Sequence, residues 1–218
     1  MNTMKQSQYL KSRQASRERA KLLVLTVLVS AALATGPAVA ENDMEYADVF
    51  GQGPAGPVIA TDGARLVRSD NGLLISVRVP TPKPDSYNYP PGNAWNNDAH
   101  PGKPEAFSLW AFVFNDPESC TGGGPGVCTP DDARNGTPGA GAFNVAGHLV
   151  AGKVLQLDGN VTFASKPFGG APLTDPLTAE VHLAIAPHGA LQAETMPNQL
   201  QTPIGSPGYW WIALFAAN

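Results

Sequence analysis

The chain has 218 residues, with 14 basic and 18 acidic side chains and a formal net charge of −4. An acidic protein is repelled by phosphate backbones and by anionic lipid, so this charge argues against nucleic-acid partners and against binding to a membrane surface. The 23 glycines and 21 prolines separate short apolar runs, a pattern that is typical of an all-β protein.

The first 40 residues have the segment order of a secretory signal peptide. A leader with six basic residues precedes an apolar run from Leu22 to Ala34, and Ala38-Val39-Ala40 then fits the small-x-small cleavage rule. The apolar run is shorter than the about 20 residues that a bilayer span requires. We expect cleavage after Ala40 and secretion to the periplasm or the exterior; the alternative is an uncleaved signal anchor.

Removal of this leader makes the protein more acidic. It contains six of the 14 basic residues and one of the 18 acidic residues, so the remaining chain has eight basic and 17 acidic residues, a net charge of −9. We expect no membrane insertion after cleavage. The rest of the chain is long enough for one domain, predicted at 57–218, and the acidic stretch 41–56 is predicted to be a flexible N-terminal arm.

Short apolar runs predict about eight strands. Alternation is clearest at 72–79, where Leu73, Ile75 and Val77 share one face, and this run follows a turn at Asn71 that makes a hairpin with 64–69. In chain order the predicted strands are 64–69, 72–79, 107–114, 143–150, 153–157, 161–165, 179–185 and 209–216. Such a set favours an antiparallel two-sheet β-sandwich, either immunoglobulin-like or a Greek key.

A proline-rich segment, Pro80 to Glu105, has no strand pattern. Loops of this length inside a domain are uncommon and are often functional. It contains Tyr87, Tyr89 and Trp95, which are candidates for a ligand-binding loop. The alternative is that these aromatic rings only pack the loop onto the domain.

Two cysteines, Cys120 and Cys128, flank a glycine-rich heptapeptide. An exported protein meets an oxidising compartment, and such a loop brings the two thiols together easily, so we predict a disulfide. Closing so short a loop stabilises the fold by roughly 2.5 kcal/mol.

Four histidines are candidate ligands for copper or zinc. His148 and His182 each lie opposite the apolar face of a predicted strand, and their imidazoles would be adjacent if the two strands were neighbours. His188 joins them only if the chain turns back, because six extended residues separate it from His182 by about 20 Å. The fourth candidate is His100. The alternative is that these side chains are exposed or hydrogen-bonded histidines.

Four acidic residues flank the predicted disulfide loop, and hard cations such as calcium bind oxygen-rich loop sites. These residues are Asp116, Glu118, Asp131 and Asp132. Their spacing matches no EF-hand, and solvated turn carboxylates are the alternative.

The sequence lacks the usual signatures of catalysis. It has no G-x-S-x-G motif, no P-loop, and no serine recognisably placed beside a histidine. We therefore expect a non-enzymatic binding or envelope-surface module with an extracellular or cell-envelope ligand. The alternative is a copper/zinc-binding protein or a metal-dependent redox enzyme that uses His148 and His182.

Several stretches between about residues 105 and 190 resemble a family of uncharacterised exported bacterial proteins. They are Trp110-x3-Phe114-Asn115-x-Pro117-x2-Cys120, Ala146-Gly147-His148-Leu149, and Ala179-Glu180-Val181-His182-Leu183 followed by His188-Gly189. This resemblance implies secretion and a β fold, but no reaction. The last stretch also resembles chordin-type domains, which are related in architecture to copper/zinc superoxide dismutase and usually carry His-x-His where this chain has Ala184.

Overall fold

The computed structural model describes residues 43–82, 104–149, 152–202 and 210–218. These residues form nine strands: β1 Asp43–Phe50, β2 Val58–Ser69, β3 Gly72–Pro80, β4 Glu105–Phe114, β5 Ala140–Leu149, β6 Val154–Thr162, β7 Gly169–Gly170, β8 Glu180–Ala190 and β9 Trp211–Phe215. Two short helices accompany them, α1 Pro130–Asn135 and α2 Met196–Gln201, with 3-10 turns at Pro117–Ser119 and Ala193–Thr195. None of the helices in these ranges has the length and apolar character needed to span a bilayer.

All nine strands join one antiparallel sheet in the order β6-β3-β2-β1-β9-β8-β4-β5-β7. The predicted all-β, antiparallel class is confirmed. The predicted division into two sheets is not confirmed, because Phe50 of β1 pairs with Ile212 of β9 and so connects the two halves. That connection was missed because β1 itself was predicted to be a flexible arm.

Strand β1 corrects the prediction for residues 41–56. Its residues pair with β2 from Asp43 opposite Arg68 to Phe50 opposite Val58, so this segment is an internal strand of the sheet. The acidic composition was misleading, because one of those acids, Glu45, is the partner of a buried arginine.

The predicted hairpin is confirmed. Strands β2 and β3 pair from Ser69 opposite Gly72 onward, so that Asp70 and Asn71 form the connecting turn. The predicted alternation is also present: Leu73 is buried, whereas the side chain of Leu74 is 56% exposed.

The sheet curls until β5 and β6 approach each other. A Cβ atom at Gly159 of β6 would lie 2.5 Å from Cγ1 of Val145 in β5, so only glycine fits there. Val145 is the extra residue of a bulge in β5, between Asn144 and Ala146, and bulges bend strands.

The close contact between β5 and β6 explains why the prediction of a turn within β6 was wrong. The segments 153–157 and 161–165 were expected to be two strands separated by an Asp158-Gly159 turn. They form one strand, Val154–Thr162, which pairs with β3 along its whole length. Gly159 therefore permits a close contact between strands and does not mark a turn.

Two hydrophobic clusters form, one on each face of the sheet. The larger, inner cluster lies inside the curl and includes Leu66, Leu73, Ile75, Phe107, Leu109, Phe143, Leu157, Leu183 and Phe215. The smaller, outer cluster includes Trp110, Phe112, Phe114, Cys120, Cys128, Ala133, Ala184, Trp210 and Ile212. Strands β4 and β8 contribute to both clusters.

The side chain of Arg68 is fully buried and connects four segments of the chain. Its Nε donates to Glu45 of β1 at 2.5 Å, and the same guanidinium donates to the carbonyl oxygens of Pro176, Ala179 and Ala216. A buried cation is tolerated only when paired and hydrogen-bonded, and Arg68 meets both conditions.

Replacement of Arg68 by methionine should lower the free energy of unfolding by about 3 kcal/mol, because it leaves buried carbonyl oxygens without a donor. Urea denaturation measures this change. The matched control is Arg65→Met, an exposed arginine on the same strand, which should change stability by less than about 0.5 kcal/mol. Equal effects of the two substitutions would show that Arg68 does not have this role.

Candidate binding cleft

The segment between β4 and β5 forms a cap, defined here as residues 115–139, over the outer face of the sheet. The predicted disulfide between Cys120 and Cys128 is confirmed, with a Cα–Cα distance of 4.8 Å. Both cysteines are buried and pack with Ala133 of α1 into the outer cluster. The disulfide therefore helps to hold the cap in contact with the aromatic side chains of β4.

Asp132, in α1, organises the cap. Its carboxylate accepts hydrogen bonds from the backbone amides of Thr121 (2.8 Å), Gly122 (3.0 Å) and Thr129 (2.8 Å) and from the hydroxyl of Thr137 (3.1 Å). Burial alone would favour the neutral acid, but these hydrogen bonds outweigh it and lower the pKa of Asp132 below 3.8. The ionised carboxylate thus fastens the disulfide loop to the helix.

The other residues of the predicted calcium set do not join Asp132. Asp116 accepts a hydrogen bond from the Ser119 hydroxyl, and Asp131 forms an ion pair with Arg134. Glu118 lies in the 3-10 turn Pro117–Ser119. In the described ranges no three acidic, histidine or cysteine side chains come together as a metal-binding group.

A cleft of about 420 Å³ remains where the cap does not cover the outer face of the sheet. Four aromatic rings, five small residues and one arginine line it: Trp110, Phe112, Phe168, Trp210, Ala133, Gly136, Ala142, Gly169, Gly170 and Arg134. Phe112 and Trp210 stack at 5.8 Å with an interplanar angle of 17°. Phe168 meets Trp110 edge-on at 5.4 Å. Phe168 is 60% exposed, whereas Trp110, Phe112 and Trp210 are at most 3% exposed, so Phe168 supplies most of the aromatic surface that solvent reaches at the cleft.

The strand β7 forms one wall and contributes no side chains. Gly170 has a φ of +81°, and a Cβ atom there would lie 2.2 Å from the carbonyl oxygen of Ala140, so this position requires glycine. At Gly169 a Cβ atom would meet nothing within 4 Å. The space beside Gly169 is therefore open, and a side chain placed there would occupy it without a clash.

A buried polar chain fixes the orientation of Trp110. Its indole Nε1 donates to Oγ of Ser108 at 2.7 Å, and that Oγ lies 2.6 Å from Nε2 of His188. The indole nitrogen can only donate, so Oγ of Ser108 accepts from Trp110, whereas the donor in the contact between Oγ and Nε2 depends on the tautomer of His188. Burial lowers the pKa of His188 to about 4, so the imidazole is neutral at neutral pH.

No local sequence pattern indicates this Ser108–His188 contact, because the two residues lie on neighbouring strands 80 positions apart. The contact resembles half of a catalytic triad, but Ser108 and His188 are both 0% exposed. Nδ1 of His188 has no hydrogen-bond partner in the described part of the chain, so no carboxylate orients the ring. The arrangement supports Trp110 and does not present a nucleophile.

His182 lies too far from His188 and from His148 to share a metal ion with either of them. Strand β8 is continuous, so six residues separate His182 from His188 by about 20 Å. Strand β4 lies between β5 and β8, and His148 pairs with Phe107 whereas His182 pairs with Phe112. Strands β5 and β8 are not neighbours, so the condition under which the imidazoles of His148 and His182 would be adjacent is not met.

His182 lies on the face of β8 opposite Val181, Leu183 and Ile185, as the alternation of this strand predicts. It is 7% exposed, its Nε2 lies 2.6 Å from Glu180, and its ring packs edge-on against Phe114. These contacts account for a buried histidine without a metal ion. His100 and the predicted ligand-binding residues Tyr87, Tyr89 and Trp95 lie outside the described residues, as does the side chain of His148.

Replacement of Asp132 by asparagine should lower the free energy of unfolding by about 2 kcal/mol at neutral pH, because a charged acceptor of several amide hydrogen bonds is lost. The carboxylate contributes its stability above the unfolded-state pKa of about 3.8 and loses it as the pH falls through the lower native value. The difference between the wild type and the variant should therefore shrink in acid, which denaturation at several pH values measures.

The control for this prediction is Asp131→Asn, on the same helix but with a half-exposed side chain. It should change stability by about 0.5 kcal/mol or less. If Asp132→Asn behaved like this control, or if its effect grew as the pH fell, the role assigned to Asp132 would be wrong.

Comparison with known proteins does not assign a family. No protein-family model matches the sequence, and neither a curated protein nor a solved structure matches it. The cleft and its cap are thus the features from which a function can be inferred.

Proposed function

We propose that this protein is an exported, non-enzymatic binding protein whose cleft takes a small ligand with a flat, apolar ring. The observation that carries the proposal is a cleft of about 420 Å³ with four aromatic rings in its lining, of which Phe168 is the exposed one. Pockets that bind small molecules are mostly apolar and usually have volumes of about 300–1,000 Å³. Flat rings bind well between aromatic side chains because they bury a large area and stack in preferred geometries.

The rigidity of the cleft also supports binding. Trp110 is fixed by Ser108 and His188, and α1 is fixed by the disulfide loop and by Asp132. A preformed cleft avoids the free-energy cost of ordering loops when a ligand binds. Neither arrangement brings an accessible nucleophile to the cleft, which favours binding over catalysis.

Export is supported by the leader pattern in the first 40 residues and by the disulfide, which persists in oxidising compartments. Mass spectrometry of protein recovered from outside the cytoplasm of the producing cell tests it. We expect a chain that begins at Glu41 with the disulfide intact. Recovery only of the full-length chain with both cysteines reduced would contradict export.

The substitution Gly169→Val should block the cleft. The added side chain has room and Gly169 does not have a positive φ, so the melting temperature should change little. Titration with the neutral ring compound 2-naphthylmethanol, followed by tryptophan fluorescence or calorimetry, should show saturable binding to the wild type. The variant should bind at least about tenfold more weakly, a loss of about 1.4 kcal/mol.

The matched control is Ala164→Val, which adds a similar side chain at an exposed position that does not line the cleft. This variant should bind as the wild type does. If Gly169→Val bound the naphthyl compound as tightly as Ala164→Val, or if the wild type did not bind it, the cleft would not be the binding site that we propose.

A further inference from the structure

The cleft has one charged residue among its described lining residues, and that residue is Arg134. It lies in the last turn of α1, and its guanidinium forms an ion pair with Asp131 one turn earlier. Both side chains are close to half exposed, so the pair lies near the solvent. Asp131 does not line the cleft. Arg134 is therefore the one described source of positive charge beside the cleft, and its ion pair with Asp131 offsets part of that charge.

The remaining side chains restrict what else a ligand can use. Besides Arg134, the described lining consists of aromatic rings, alanines and glycines. The indole N–H of Trp110 is already donated to Ser108. A sugar would require several polar side chains around its hydroxyl groups, and this lining does not supply them. An apolar ring with one anionic group matches the lining better.

Resting on the proposed function, we infer that the natural ligand is a small aromatic carboxylate whose ring lies in the cleft against Phe168 and whose carboxylate binds Arg134. Guanidinium presents a planar set of donors that matches a carboxylate with two parallel hydrogen bonds. The chain as a whole is acidic and repels anions, so this local contact decides whether an anion is accepted. Asp131 competes with the ligand for the same guanidinium, so the preference for an anionic over a neutral ligand is moderate.

The test compares two ligands that share a ring and differ in charge. 2-Naphthoate is ionised at neutral pH, whereas 2-naphthylmethanol is neutral. In the wild type, calorimetry at low salt should show the acid binding about fivefold more tightly than the alcohol, as expected for a partly exposed ion pair. The affinity advantage of the acid over the alcohol should fall as salt is added, because exposed charges are screened.

Substitutions of two exposed residues of α1 should change the ratio of acid affinity to alcohol affinity in opposite directions. Arg134→Gln removes the cation, so the ratio of acid to alcohol affinity should fall to about one or below. Asp131→Asn removes the competing carboxylate, so the ratio should rise above its wild-type value. Both side chains are close to half exposed, and melting curves establish that each variant is folded.

The outcomes separate this inference from the proposed function. If both compounds bind but the ratio is the same in the wild type and in Arg134→Gln, the cleft binds rings and the inferred carboxylate recognition is wrong. If neither compound binds, the proposed function fails as well. Tighter binding of the acid that depends on Arg134 and increases in Asp131→Asn supports both.

Discussion

Strand β4 buries all ten of its residues, so both of its faces need apolar cover. On the inner face the sheet provides this cover itself, because it curls until Gly159 of β6 meets Val145 of β5. On the outer face the cover comes from the cap at 115–139, which adds Cys120, Cys128 and Ala133 to the aromatic cluster. The cap leaves part of that face uncovered, and the aromatic cleft lies there.

Buried polar side chains hold these covers in place, and each forms hydrogen bonds with a different set of partners. Arg68 connects β1 and β2 to carbonyl oxygens of the segment 176–179 and of Ala216. Asp132 accepts hydrogen bonds from backbone amides of the disulfide loop. Ser108, which contacts His188, accepts the hydrogen bond of the Trp110 indole. A buried charge or dipole without partners costs several kcal/mol, so such groups accept few alternative geometries. The cleft is therefore expected to be largely preformed.

The sequence predicted the elements that depend on local patterns. The hairpin at 64–79 and the disulfide between Cys120 and Cys128 follow from alternation, turn residues and spacing, and both are confirmed. The sequence did not predict features that depend on which strands become neighbours. The pair Asp158-Gly159 predicted a turn but lies within β6, and the acidic segment 41–56 predicted a flexible arm but contains β1. No pattern predicted the contact between Ser108 and His188.

The cleft was missed for the same reason. The apolar run of β4 showed that both faces were buried, but not that a cap would cover one of them incompletely. A local signal did exist: the exposed Phe168 directly precedes the pair Gly169–Gly170, which places an aromatic ring beside a wall without side chains. The sequence pattern favoured the aromatic residues of the proline-rich segment as the candidates, and not this pair.

The most direct test of the central claim is a map of the ligand on the protein by nuclear magnetic resonance. In a titration of ¹⁵N-labelled protein with 2-naphthylmethanol, the amide resonances of Gly169 and Gly170 and the indole resonance of Trp110 should shift together and saturate. The account would be contradicted if these resonances stayed fixed while those of the exposed apolar residues Met44, Tyr46 and Leu74 moved instead.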